Sequence, residues 1–382
     1  MQIKLIKKSF FEEKDTQEKL ANFVKSTSFF SMSKYCADFE INFSKWQKRK
    51  YSVLFNSGSS ANLALIQSLL NLDILKKEDE VGFSSLTWAT NVMPIIQLGL
   101  SPVAIDCNLE TLNVDLENIK KHKNIKCLFI TNALGFSDNL HEIRTYCEEN
   151  KIILLEDNCE SLGSKCGGTL LGNFGLASTF SFFVGHHMST IEGGMVCTDD
   201  KDLYDMLKIV RSHGWDRHLD DDKKQKLRTE NDVDDFYSAY TFYDLAFNLR
   251  PTEITGFLGN IQLNYLDEII EKRRQNYKFC CDCLAQNTNI LKLKLDHMDF
   301  VSSFAIPLIF KHKSDFEFYK DKFIKAGVEI RPIIAGNINN QPFYKKYVKN
   351  KVDCPSCDII HNNGFYVGNN PDLLEEELLF IS

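Results

Sequence analysis

No run of about 18 apolar residues occurs anywhere in the 382-residue chain, so nothing in it reads as a membrane-spanning helix. The start, Met1-Gln-Ile-Lys-Leu-Ile-Lys-Lys, lacks a sustained apolar stretch followed by small residues. That argues against an export signal and for a cytoplasmic protein. A basic excess is missing too: 45 Lys and Arg face 52 Asp and Glu, for a net charge of −7, and the cations are scattered among acids. Such a balance offers no footprint for a phosphodiester backbone, and nucleic acid is not an expected partner. Repeats and low-complexity tracts are absent. With 43% hydrophobic and 25% charged residues, the chain can build one large α/β domain and a smaller one.

Cysteine is plentiful, but it lacks the spacing that metal sites need. Of the twelve, Cys280-Cys281-Asp-Cys283 and Cys354-Pro-Ser-Cys357 form clusters, yet neither has a second pair at zinc spacing. Most of the others sit singly in apolar patterns, as reduced core residues of a cytosolic protein do. No metal site is expected.

Short apolar runs alternate with amphipathic stretches, the pattern of βαβ units and a largely parallel sheet. Seven strands are expected, at Tyr51-Ser-Val-Leu-Phe, Val81-Gly-Phe-Ser, Ser101-Pro-Val-Ala-Ile-Asp, Ile125-Lys-Cys-Leu-Phe-Ile-Thr, Lys151-Ile-Ile-Leu-Leu-Glu-Asp157, Ala177-Ser-Thr-Phe-Ser-Phe-Phe and Gly194-Met-Val-Cys-Thr. A helix is expected from Leu63 to Leu72, and a long one from near Gly256 to Gln275. Asp216 to Asp235 is charged throughout and cannot bury a face, so it reads as an exposed or mobile insertion. Past residue 256 the pattern changes, with a strand at Phe304-Ala-Ile-Pro-Leu-Ile-Phe and a helix from Phe316 to Gly327. The expected domains are therefore 1–255 and 256–382.

Several residues stand where chemistry is done in α/β proteins. Gly58-Ser59-Ser60-Ala61-Asn62 lies where a strand gives way to a helix, so its N–H groups and hydroxyls suit a phosphate, although an ordinary N-cap turn explains the same residues. Asp157 ends a strand of apolar residues, which puts its carboxylate at the sheet edge where ligands bind, unless it only caps a turn. Trp88 is either a flat apolar platform or a core residue.

The most telling absence is a lysine. Ser181-Phe-Phe-Val-Gly-His186-His187-Met-Ser-Thr-Ile-Glu192-Gly-Gly194 resembles the cofactor-attachment motif of the DegT/DnrJ/EryC1/StrS sugar aminotransferases, S-F-x-x-x-K-x-x-x-x-x-E-G-G, with His186 in the lysine position. A lysine amine holds the aldehyde of pyridoxal 5'-phosphate covalently, whereas an imidazole cannot but moves protons near neutral pH. The resemblance runs from about residue 25 to the C-terminus. It implies a fold-type I large domain like that of aspartate aminotransferase, with a mostly parallel seven-stranded sheet and a small C-terminal α/β domain. It implies that Gly58, Ser59 and Ser181 take the cofactor phosphate, Asp157 the pyridine nitrogen and Trp88 the ring face, with Glu160 near the ring hydroxyl. His186 and His213 would be catalytic, and His187 structural. Asn248 and Arg250 match an N-x-R that these enzymes insert into the neighbouring subunit's site, which implies a homodimer. Arg331 and Asn337, in Arg331-Pro-Ile-Ile-Ala-Gly-Asn337, match small-domain substrate segments.

Within the family, a histidine at this position resembles the sugar 3-dehydratases. The implied reaction uses L-glutamate to convert pyridoxal phosphate to pyridoxamine phosphate, then removes the C3 hydroxyl of a nucleotide-linked 4-keto-6-deoxy sugar, with GDP-4-keto-6-deoxy-D-mannose the best match. It would serve deoxysugar and O-antigen (lipopolysaccharide) synthesis. A reductase-dependent dehydratase carries an iron–sulfur cluster, with several of its cysteines soon after the histidine. Here no cysteine lies between Cys197 and Cys280, which disfavours that route. The alternatives are a nucleotide-sugar aminotransferase and a sugar-binding homologue without activity.

Overall fold

A run that is apolar at nearly every position can be buried on both faces, and the chain uses such runs as interior strands. The computed structural model describes residues 2–382. Its main sheet contains β1 (Tyr51–Phe55), β2 (Glu80–Ser84), β3 (Ser101–Ile105), β4 (Cys127–Thr131), β5 (Ile153–Asp157), β6 (Ala177–Ser181) and β7 (Gly194–Thr198), in the order β1-β7-β6-β5-β4-β2-β3. Only β7 runs against its neighbours, β1 and β6; the other pairings are parallel. This is the expected sheet, with strand ends trimmed by a residue or two. Val53, Phe55, Phe83, Phe129 and Leu155 are fully buried in it.

Helices cover both faces. Before the sheet come α1 (Glu13–Ser26) and α2 (Lys34–Gln47), and α3 (Gly58–Asn71) begins as soon as β1 ends. That start is earlier than Leu63 because the Ser57 hydroxyl accepts the Ser60 N–H at 3.1 Å and so supplies the N-cap. After β2 comes α4 (Ala89–Gln97), and after β7 comes α5 (Lys201–Arg211).

The long helix expected after residue 256 is two: α6 (Glu253–Leu263) and α7 (Leu266–Leu284). Asn264 turns its amide onto the Asn260 carbonyl at 3.1 Å, a side-chain bond that competes with the helical ladder. Tyr265 meanwhile reaches out to Asp15 at 2.9 Å. Helix α6 lies very close to α2, since a Cβ on Gly256 would fall 2.4 Å from the Cys36 nitrogen. Glu253, only 3% exposed, accepts N–H groups of Ser33, Tyr35 and Cys36 and holds the start of α2 in place.

Along α7 the packing passes from one core to another. Leu266 and Ile270 join Phe39, Phe43 and Phe180 of the large domain, whereas Cys280 joins Ile306, Phe310, Phe365 and Val367. The second core lies against β8 (Ala305–Ile309), β9 (Ile330–Pro332) and β10 (Gly364–Gly368), an antiparallel sheet in the order β8-β10-β9. The N-terminal segment returns to this small sheet: Ile3 bridges Val328, and Lys7 pairs with Glu377 at 2.5 Å.

The charged stretch from Asp216 to Asp235 is more ordered than expected. Residues Asp221–Glu230 form a helix with no buried residue, capped by Asp220. Ion pairs to Asp202, Asp216 and Lys201 moor it, so the lack of a buried residue does not leave the backbone without structure. Among the described residues, no helix is long and apolar enough to cross a membrane.

Candidate active site

Because β1, β2, β4, β5 and β6 run the same way, their carboxyl ends share one edge, and loops from that edge meet the small domain over a cleft of about 600 Å³. Gly58, Ser59, Trp88, Asp157, Glu160, Ser181, His186, Glu192 and Arg331 all line it. Five separate chain segments are thereby brought together.

Asp157 sits at the end of β5, 5% exposed. Its carboxylate accepts the side-chain amides of Asn62 at 3.0 Å and Asn91 at 2.6 Å, and the Cys159 N–H at 2.9 Å. These three donors hold the carboxylate in one orientation, facing the cleft. The carbonyl oxygens of both Asn62 and Asn91 are buried without partners, which marks polar capacity the fold itself does not use. The start of α3 faces the end of β6 so closely that a Cβ on Gly58 would come within 2.7 Å of Ser181 Cβ. Glycine there keeps the helix N-terminus, Ser59 and the Ser181 hydroxyl around one small space suited to an anion. Trp88 closes the group. It is the residue before α4 and 56% exposed, so its flat face is available. A cofactor with a phosphate, an aromatic ring and a basic ring nitrogen fits this set.

His186 occupies the loop after β6, its ring edge-on to Phe304 at 5.4 Å and to Phe183 at 6.0 Å. Burial pushes its pKa down to about 4, against the attraction of Asp157, so the resting imidazole is neutral. Nδ1 has no hydrogen-bond partner among the described residues. Glu160 accepts the Leu134 N–H at 2.9 Å, and burial raises its carboxyl to about 7. The cleft therefore holds one group, Glu160, that titrates near neutrality, and beside it a histidine that rests without its proton. His187 serves the scaffold instead, buried and bonded to the Ser302 carbonyl at 2.9 Å.

Three expected residues do not reach this cleft. His213, in left-handed backbone at φ 61°, packs on Trp215 with centroids 4.7 Å apart. Asn248 lies in the segment bridged to Ser212 and accepts Arg250 Nε at 3.0 Å, while Arg250 stacks over Trp215. His213, Asn248 and Arg250 thus form one cluster away from the chain's own cleft. Asn337 is not among the residues lining the cleft either: it is 1% exposed and its side chain bonds Asp358 and the Asn339 N–H.

The cleft also contains residues that pattern reading missed. Asn91 carries no motif signal beyond its place three residues after Trp88, and Arg273 is one of three consecutive cations in Lys272-Arg-Arg. Tyr366 comes from β10 and Phe304 from just before β8, and only the closed fold brings them into the cleft, Phe304 against His186.

The matches to known proteins agree with this geometry. GDP-4-keto-6-deoxy-D-mannose 3-dehydratase of Escherichia coli O55:H7 is 34% identical over 381 residues, 96% of each chain. A crystal structure of GDP-4-keto-6-deoxymannose-3-dehydratase with a trapped PLP-glutamate geminal diamine superposes with a TM-score of 0.90 at 30% identity, covering 99% of this chain and 98% of that one. A histidine-to-asparagine variant of that enzyme with bound GDP-perosamine gives a TM-score of 0.91 at 31% identity, over 99% and 98%. The family model described as the DegT/DnrJ/EryC1/StrS aminotransferase family matches residues 11–381. The chain, with its aminotransferase fold and its histidine in the lysine position, belongs to the DegT/DnrJ/EryC1/StrS aminotransferase family.

Proposed function

We propose that this protein is a pyridoxal phosphate-dependent 3-dehydratase that removes the C3 hydroxyl of a nucleotide-linked 4-keto-6-deoxy sugar, with L-glutamate as amino donor. GDP-4-keto-6-deoxy-D-mannose is the first candidate substrate, because the relatives similar over nearly the whole chain carry that name. The observation that carries the reading is His186: it stands beside Asp157 in the cleft, and no lysine is among the residues lining that cleft. When bound, pyridoxal phosphate supplies an electron sink for bonds broken next to its ring.

The chain's own residues do the rest. Asp157 would pair with the ring nitrogen, the α3 N-terminus with Ser59 and Ser181 would hold the phosphate, and Trp88 would lie on the ring face. With no amine to hold the cofactor covalently, binding rests on these contacts. His186, neutral at rest, takes a proton as general base; the resulting imidazolium, a strong acid because its pKa is low, returns that proton to the departing sugar hydroxyl. Phe183 and Phe304 flank the imidazole and limit water around it.

The same proposal includes a homodimer with shared sites, acting in the cytoplasm. The segment leading to Asn248 and Arg250 exposes apolar residues, Phe236 at 81%, Tyr240 at 74% and Leu245 at 73%, more apolar surface than a lone subunit usually leaves in water. We assign these three residues to the partner's cleft, and Arg331 to the substrate.

The test is mass spectrometry of GDP-4-keto-6-deoxymannose incubated with the protein, pyridoxal phosphate and L-glutamate. Loss of one oxygen with the ketone kept, together with 2-oxoglutarate and ammonia, is the expected result. An amino sugar would replace this reading with transamination.

A further inference from the structure

Arg273 is the most unusual charge in the molecule. It is 4% exposed, and it lines the cleft beside His186. Buried arginines normally face a carboxylate, because an uncompensated charge in the interior is costly. This one pairs with none. Its Nη1 donates to the carbonyls of Phe304 at 2.9 Å and Asn369 at 2.7 Å, its Nη2 donates to the carbonyl of His186 at 3.3 Å, and its Nε is buried without a partner. The Asn369 amide in turn donates to the Arg273 carbonyl at 2.9 Å and to that of Ser303 at 2.9 Å. One guanidinium fork therefore joins the linking helix α7, the lead-in to β8, the end of β10 and the histidine loop.

We propose that Arg273 is a positioning residue for His186, one whose fork ties the histidine loop to the small domain and whose unneutralised cation adds to burial in disfavouring a second charge on the neighbouring imidazole.

Burial is the first cause that keeps His186 neutral, and the charged groups facing it act on top of that, Arg273 in the same direction and Asp157 against it. On β5 Asp157 attracts a proton to it; on α7 Arg273 repels one, and His187 on the same loop is held neutral by burial and by Arg273. Glu160, raised to about 7, is largely protonated below neutrality and adds little negative charge there, while Glu192 and Arg331 lie at the cleft margin. Burial lowers Arg273 itself only to about 9, so it keeps its charge through the physiological range. The value to the chemistry rests on the dehydratase reading: a base must start without its proton, and a conjugate acid that gives up its proton readily suits a poor leaving group such as hydroxide.

The experiment titrates His186 in folded protein without cofactor or substrate, by NMR of isotopically labelled histidine, assigning the signal with His186→Asn. The wild-type midpoint is expected below 5, near the value of about 4 expected from its surroundings. Arg273→Gln is expected to raise it by roughly one pH unit, whereas Arg273→Lys, which keeps the charge but loses the fork, leaves it within about a third of a unit. In turnover assays, both variants are expected to lose kcat about tenfold or more with KM little changed, since the loop is no longer tied. A wild-type midpoint at 6.5 or above overturns the proposal even if Arg273→Gln does not fold. So does a folded Arg273→Gln protein whose midpoint stays put. Because the titration needs no turnover, failure of the dehydratase reading would leave it standing.

Discussion

Glu160 offers a sharp quantitative test, because its carboxyl is raised to about 7 by burial in the cleft. In the unfolded chain a glutamate titrates near 4.3, so between the two values the folded state binds more protons than the unfolded one. The sign follows: Glu160 costs little stability at or below pH 4.5, and the cost grows as pH rises to 7, where it levels off. A shift of this size corresponds to about 4 kcal/mol at full weight; the side chain is half-buried, and solvent screening reduces that to about 2 kcal/mol. Glu160→Gln keeps the shape and an acceptor for the Leu134 N–H but cannot ionise. Relative to wild type, it should therefore be more stable at pH 8 than at pH 5 by about 2 kcal/mol. For a chain of 382 residues this is a melting-temperature difference of about 2–3 °C, readable by calorimetry of the apo protein at the two pH values. Parallel melting curves for the two proteins across that range, or a variant that is relatively weaker at pH 8, would refute the argument.

Other perturbations separate the cleft from the scaffold. Asp157→Asn removes the charge that Asn62 and Asn91 hold in place, and pyridoxal phosphate affinity should fall at least tenfold in a fluorescence titration, with the melting temperature of the apo protein little changed. Gly58→Ala drives a methyl to within 2.7 Å of Ser181 Cβ, costing about 1–3 kcal/mol and weakening cofactor binding; normal affinity in that variant would show that the α3 start is not the phosphate seat. His186→Lys should abolish dehydration and give a covalently held cofactor, seen as an absorbance that survives gel filtration. Dehydration retained at the wild-type rate would remove His186 from the mechanism. By contrast, Glu253→Gln, far from the chemistry, should destabilise by about 2–3 kcal/mol in urea unfolding through the loss of charge-assisted bonds to Ser33, Tyr35 and Cys36, while activity per folded molecule holds.

Much of the scaffold is legible in order along the chain, since interior strands of a parallel sheet must be apolar on both faces and so stand out against amphipathic helices. The cleft residues Asp157, Ser181 and His186 are equally legible: each sits at or just past a strand end, where the edge of a parallel sheet puts it in one place. Boundaries ruled by side-chain bonds were not. The Ser57 cap, the Asn264 turn that splits α6 from α7 and the ion pairs that order Asp221–Glu230 depend on partners distant in sequence or on a choice between competing local bonds.

By itself, the sequence determined the class of fold, the family and the replacement of lysine by histidine, because periodicity and motif spacing are local properties of the chain. Tertiary structure alone decided what surrounds that histidine. It placed Arg273 behind it with no acid partner, Phe304 and Tyr366 in front from another domain, and Asn62 and Asn91 on Asp157. It also withdrew Asn337 into the small domain and gathered His213, Asn248 and Arg250 elsewhere. The physical reason is that proton affinity and charge pairing depend on burial and on distance in space, and neither is written in the spacing of residues along a chain.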